Sequence, residues 1–215
     1  MGMNIIVFGA SGNCGGHFVR LAAARGHRVT AVVRPRTPFT AVAPVTVVRG
    51  DVLDASFVDS VVPGHVVVMS GLGMRYRHPW AKRESPDDFT SRATRHVVGA
   101  MREAGVGRIS VISAAGVGES RAAMNWPMRF MLAASNVGHA YADLERVEQA
   151  LRNSGLDWQA VRPTTLTHGK GTSGVRVTDS YPVTASVARE AVAAFMLDQL
   201  EGGEFVERTP TLRSL

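Results

Sequence analysis

An α/β fold of the doubly wound kind, a parallel sheet with helices on both faces in a single domain, is what this sequence predicts. Three observations carry that reading. Short apolar segments rich in β-branched residues alternate with segments of helical periodicity along the 215 residues. The strand-like segments are apolar throughout, which marks strands buried on both faces, where a half-wet sheet would alternate polar and apolar residues. No repeat, low-complexity tract or linker divides the chain, and its length suits one domain spanning residues 1–215.

The elements follow in order. Asn4 to Phe8 is a β-branched run ending in glycine, and Asn13 to Ala24 then shows helical spacing through Phe18, Leu21 and Ala22 before stopping at Gly26. Arg28 to Val33, Val45 to Val48 and His65 to Met69 read as the second, third and fourth strands. Phe89, Ala93, Val97, Val98 and Met101 repeat at helical spacing up to Gly105, and Ile109 to Ile112 is a fifth strand. Leu144, Val147 and Leu151 mark a helix ended by Gly155, followed by a sixth strand from Trp158 to Val161. Val187, Ala191, Ala194 and Phe195 form a last helix, stopped by Gly202-Gly203. Segments at about 72–88, 114–138 and 164–185 interrupt the alternation and are expected to be substrate-side loops.

Composition narrows the class. With 45% hydrophobic and 20% charged residues, the chain has no apolar run near the ~18 residues a membrane span needs. The start, Met1-Gly2-Met3-Asn4, has no basic leader, so a cytoplasmic location and no membrane partner are expected. Cys14 is the single cysteine, which excludes an internal disulfide and a cysteine-based zinc site, and no metal is expected. The net charge of +6 is unevenly placed: Arg20, Arg25, Arg28, Arg34, Arg36 and Arg49 lie in an opening segment with no Asp or Glu before Asp51. The remainder of the chain is balanced, and no nucleic-acid motif appears, so a nucleic-acid partner is not expected.

The opening segment also holds Gly9-Ala10-Ser11-Gly12-Asn13-Cys14-Gly15, directly after the first strand and opening the first helix. This is where a Rossmann-type dinucleotide site needs glycines: for the tight turn, for backbone approach to a pyrophosphate, and for close helix–strand packing. At the end of the second strand stands Arg34, with Arg36 two residues on. An acidic residue there would bind the ribose hydroxyls of NAD, whereas a guanidinium matches the extra phosphate of NADP. Gly50-Asp51-Val52 closes the third strand, where Asp51 could accept from the adenine amino group or cap a helix. Ser70-Gly71 closes the fourth, with small residues that let the cofactor pass.

Together with Val32-Val33-Arg34, the Asp143, Arg146 and Glu148 helix, Ser154-Gly155-Leu156-Asp157-Trp158 and Val161-Arg162-Pro163, these motifs resemble the atypical short-chain dehydrogenase/reductases. The likeness is to the NAD(P)H-binding branch that includes flavin reductase (biliverdin reductase B) and the nitrogen-metabolite-regulator-like proteins. The resemblance implies NADP(H) bound with its nicotinamide near Ser113, Ala114, Pro163, Thr164 and Thr165. It further implies hydride transfer to a small flat acceptor such as a flavin, a quinone, another carbonyl compound or a tetrapyrrole-like molecule. The sequence departs from the pattern in three places. Tyr141 is followed four residues later by Glu145, so the Tyr/Lys proton donor of better-known relatives is missing. Ala114 and Thr165 stand where flavin reductase has a serine and a histidine.

The candidate catalytic residues are therefore Ser113, Tyr141 and His168, the last on a His-Gly-Lys-Gly loop. Core packing is the competing role for Tyr141, and a structural ion pair is the expectation for Glu148 and Arg162. Arg75, Tyr76, Arg77, His78, Trp80, Lys82 and Arg83 mix cations with aromatic faces, which suits an anionic or planar ligand or a solvated loop. The methionine-rich run Met124, Trp126, Met128, Phe130 and Met131 reads as a core helix or oligomer contact, leaving monomer and homodimer open. The leading function is an NADP(H)-dependent oxidoreductase acting on a small-molecule substrate. The alternatives are an NADP(H)-binding redox sensor without turnover, and an isomerase or epimerase of a biosynthetic pathway.

Overall fold

A computed structural model describes residues 2–215 except 42–43, 75–77, 79, 82–84, 125, 170, 172–173, 183, 203–204 and 206–207. The first half runs β1 (Asn4–Phe8), α1 (Asn13–Ala24), β2 (Arg28–Val33), β3 (Val45–Arg49), α2 (Ala55–Val61), β4 (Val67–Ser70) and α3 (Phe89–Ala104). The second runs β5 (Arg108–Ile112), a 3-10 helix (Gly118–Ala123), α4 (Trp126–Ala134), α5 (Val137–Arg152), β6 (Asp157–Pro163) and β7 (Thr165–Thr167). It closes with β8 (Val175–Val177), β9 (Ser186–Ala188), α6 (Arg189–Glu201) and β10 (Thr211–Ser214). The main sheet has the order β3-β2-β1-β4-β5-β6-β10-β8, every pairing parallel except that of β8 with β10. This is the doubly wound Rossmann architecture.

Strand β1 shows why both faces are covered. Successive side chains point to opposite faces of a strand, so Ile5 and Val7 join one core with Phe18, Val19 and Ala22 of α1 and Met196, Leu197 and Leu200 of α6. Ile6 and Phe8 join the other, with Val58 of α2, Val97 and Met101 of α3, and Val147 and Leu151 of α5. Each such buried aliphatic side chain contributes roughly 1.5–3 kcal/mol. Because both faces are apolar, no alternation survives in the sequence.

Three features differ from expectation. Helix α2 was not predicted, being short; it is started by the Asp54 carboxylate, which accepts from the backbone N–H of Ser56 at 3.0 Å and Phe57 at 3.4 Å. Beyond β6 the chain adds strands β7 to β10, and the segment 114–138 holds the 3-10 helix and α4. The methionine-rich run is not a core helix: Trp126 and Phe130 are 79% and 69% exposed, and Leu132 is the buried residue of α4. Trp126 and Phe130 face outward because, among the described residues, α4 packs chiefly on α5 and contributes to neither core cluster. Among the described residues no helix is long and apolar enough to cross a membrane.

Candidate active site

β1 pairs with β2 on one side and β4 on the other, and the chain leaves these strands toward opposite faces of the sheet. A crevice opens at such a switch point. Gly9 has φ +74°, and a Cβ there would lie 2.8 Å from the Gly71 carbonyl carbon. A Cβ on Gly15 would collide with the Gly9 carbonyl oxygen. The glycines of the loop and of β4 thus allow the loop, α1 and the strand end to touch through backbone alone. Helix α1 begins after extended Gly12 with no side-chain cap and no acidic residue in its first turn. Its leading N–H groups and positive dipole end are left for an anion.

A cavity of about 480 Å³ occupies the crevice. Of the predicted residues, Gly9, Ser11, Gly12, Asn13, Arg34, Asp51, Val52 and Gly71 line it. Arg36 is exposed and outside that lining, while Cys14, Gly15 and Ser70 are buried behind it. Burial pushes the Cys14 thiol up against the opposing field of Arg189, which disfavours a thiolate. Asp51 Oδ1 accepts from Leu53 N at 2.9 Å, so it closes its own turn, and capping of α2 belongs to Asp54. The opposite wall comes from Leu72, Met74, Ser85 and Pro86, within the segment 72–88 expected to be a substrate-side loop though none was named singly, and from Phe89. Phe89 is placed through the fully buried Asp143, which accepts from Thr90 N at 2.7 Å and Ser91 N at 3.2 Å and so caps α3 from α5. No local spacing announces a cap supplied from 52 residues away.

The second group lies past β5 and β6. Ser113 N donates to Val161 O at 2.7 Å and Ala115 N to Pro163 O at 3.0 Å, which sets Ser113 and Ala114 beside Pro163. Ser113 Oγ donates to Glu148 Oε1 at 2.8 Å. Tyr141 Oη donates to Ala115 O at 3.1 Å, so this half-buried tyrosine sits on the same segment. Thr164 is buried with its hydroxyl on Leu212 O at 3.0 Å, Thr165 is exposed, and His168 is exposed beyond β7. Tyr181, not among the predicted site residues, has a buried hydroxyl oxygen with no hydrogen-bond partner among the described residues; burial raises its pKa against the field of Arg162. Among the described residues no cluster of His, Cys, Asp or Glu is arranged to hold a metal. His78 and Trp80 are exposed, while Arg75, Tyr76, Arg77, Lys82 and Arg83 lie outside the described residues.

Glu148 and Arg162 form the expected ion pair, with side chains 0% and 2% exposed. Arg162 Nε meets Glu148 Oε1 at 2.9 Å and Nη2 meets Oε2 at 2.5 Å. Its Nη1 reaches Glu119 at 2.7 Å. That hydrogen bond is the main reason Glu119 titrates at about 2 instead of 4.5. A carboxyl lowered by folding adds stability above its unfolded pKa and loses it as pH falls toward the folded value. The stabilisation from Glu119 is therefore expected to be lost between about pH 4.5 and about pH 2. Melting temperatures of the parent and Glu119→Gln proteins, measured from pH 7 to 2, should converge in that window; a constant gap would refute the assignment.

Fold and site together define a Rossmann-type nicotinamide-dinucleotide-binding protein. The chain belongs to the family described as NAD(P)H-binding, which matches residues 9–202. It is similar to the uncharacterized protein Rv2047c of Mycobacterium tuberculosis, 30% identical over 160 residues. That alignment takes in 74% of this chain and 14% of the relative, so the chain spans a small part of that protein. Among solved structures, ChuY of Escherichia coli O157:H7, described as an anaerobillin reductase, superposes with TM-score 0.77 at 24% identity, over 97% of this chain and 96% of its own. A wide-type short-chain dehydrogenase/reductase of Veillonella parvula in complex with NADP gives TM-score 0.78 at 16% identity, over 99% and 94%. At these identities the two structures establish the shared fold.

Proposed function

We propose that this chain is an NADP(H)-dependent oxidoreductase that passes hydride to a small, planar, conjugated acceptor. The observation that carries the cofactor choice is Arg34, at the end of β2, lining the cavity and unpaired with any acid among the described residues. The structurally similar short-chain dehydrogenase/reductase in complex with NADP and the anaerobillin reductase ChuY support the same reading.

The cofactor, when bound, supplies the hydride and carries the difficult chemistry. The chain's own task is binding and positioning. The N–H groups of Asn13 and Cys14, at the start of α1, would hold the diphosphate, and the glycine backbone admits it without steric cost. Arg34 would hold the 2′-phosphate through charge-assisted hydrogen bonds. Ser113, Ala114 and Pro163 would position the nicotinamide ring at the ends of β5 and β6. The hydrogens of Ser113 and Tyr141 are committed to Glu148 and Ala115. The proton that accompanies hydride is therefore drawn from water, which suits a conjugated acceptor more than an isolated ketone.

NADPH is expected to bind at least about tenfold tighter than NADH, the value of one retained charge-assisted contact. Arg34→Ala should erase that preference. Calorimetric titration giving equal affinities for the parent protein, or an unchanged preference in the variant, would refute the cofactor assignment. Turnover is tested by following NADPH oxidation against flavins, quinones and linear tetrapyrroles. The absent Tyr/Lys pair favours a second reading, a sensor of NADP redox state; tight binding without oxidation across the whole panel would select it.

A further inference from the structure

We infer that Arg49 is a positioning residue for recognition of the NADP 2′-phosphate, acting through the turn that carries Arg34. The inference rests on the NADP reading above. Arg49 ends β3, and the parallel register sets it beside Val33, the residue before Arg34. From there its Nη1 crosses the end of β2 and donates to Thr37 O at 2.9 Å, with longer contacts to Pro35 O at 3.4 Å and Arg34 O at 3.5 Å. The turn is also closed by its own Thr37 N to Arg34 O bond at 3.1 Å, and Gly50, the residue after β3, donates its N–H to Val33 O at 3.1 Å.

Two physical consequences follow. Three carbonyl oxygens of the turn, those of Arg34, Pro35 and Thr37, converge on one guanidinium, which offsets their partial negative charge beside Arg34, the residue of the turn that lines the cavity. Arg49 satisfies them and leaves a net positive charge there, in a segment with no acidic residue before Asp51. Arg34 is long and exposed, so ordering it on a ligand costs conformational entropy. A turn already pinned from β3 reduces the part of that cost carried by the backbone. Among the described residues Arg49 hydrogen-bonds to backbone alone, and it does not line the cavity, so its influence passes through the turn.

Binding of NADPH and NADH to the parent, Arg49→Gln, Arg49→Lys and Arg34→Ala proteins tests this by calorimetric titration. Arg49→Gln is expected to weaken NADPH by about fivefold to tenfold, a loss of the size of one ordinary net hydrogen bond. NADH should change by less than about twofold, since it has no 2′-phosphate to lose. Arg49→Lys keeps the charge but not the fork and should fall between. An Arg49→Gln protein with unchanged NADPH affinity, or one that weakens both cofactors equally, would overturn the inference. If Arg34→Ala erases the preference while Arg49→Gln retains it, the inference fails alone. A parent protein without preference removes the NADP reading and this inference with it.

Discussion

Glu148→Gln is expected to destabilise the fold by about 3 kcal/mol or more, the effect of breaking a buried ion pair by removing one partner. Glu148 is buried within α5, where its carboxylate accepts from Arg162, Arg152 and Ser113. Removing its charge leaves Arg162, 2% exposed on β6, with Glu119 as its acidic partner, and that carboxylate is 64% exposed. A neutral amide also presents an N–H₂ group where an acceptor is required. Ser113 and Arg162 then compete for the single remaining oxygen. Denaturant unfolding with an unchanged slope would give the loss directly. The double variant Glu148→Leu with Arg162→Met should recover much of it, because a buried ion pair stabilises little over apolar residues of similar volume. A loss below about 1 kcal/mol in the single variant, the size of an exposed pair, would show that the cluster is more hydrated than its burial indicates. Ser113 leads the segment Ser113-Ala114-Ala115 beside Pro163, so the same change would loosen the proposed nicotinamide edge.

How much of this was readable beforehand depends on how local each feature is. β1 to β6 and the helices α1, α3, α5 and α6 announce themselves because each carries its own apolar run or stripe, and caps such as Gly105, with φ +69°, punctuate them. β10 has four residues in the tail after α6 and exists because the free edge of β6 offers partners: Arg162 N donates to Pro210 O and Thr164 N to Leu212 O. No pattern within residues 211–214 could reveal an edge created elsewhere. The cavity lining at Gly9, Gly12, Arg34 and Asp51 was legible for the opposite reason, since glycine spacing, Arg34 and Asp51 sit at strand ends fixed by the fold. Arg36 shows the limit of that logic: two residues beyond Arg34, it lies within the turn closed by Arg34 and Thr37, exposed and outside the cavity lining. Arg49 and Asp143 escaped because their partners are set by strand register and helix packing, which sequence spacing does not encode.

The other large effect separates two adjacent glycines. Gly15→Ala is expected to lower nicotinamide-dinucleotide affinity by on the order of 100-fold, as measured by calorimetry, because the pyrophosphate cradle depends on close backbone approach. Its new Cβ would meet the Gly9 carbonyl oxygen, with the Gly9 carbonyl carbon at 2.9 Å and Ala10 Cα at 3.1 Å. All three are backbone atoms, so no rotamer change relieves the clash and α1 must move away from the loop. A Cβ built on Gly71 would lie 3.4 Å from Gly15 N, so the two residues are close neighbours and the displacement is carried to the chain just after β4, which lines the cavity. Gly16→Ala is the internal control. Its Cβ has a nearest neighbour at 3.6 Å, the Ala10 carbonyl oxygen, an ordinary contact, and the residue lies inside α1. Alanine there should leave binding within about twofold and raise stability by about 0.5–1 kcal/mol through its better helix propensity. Equal effects at the two positions would mean that general helix packing governs affinity. A Gly15→Ala protein that binds like the parent would show that the first turn of α1 is not the phosphate cradle.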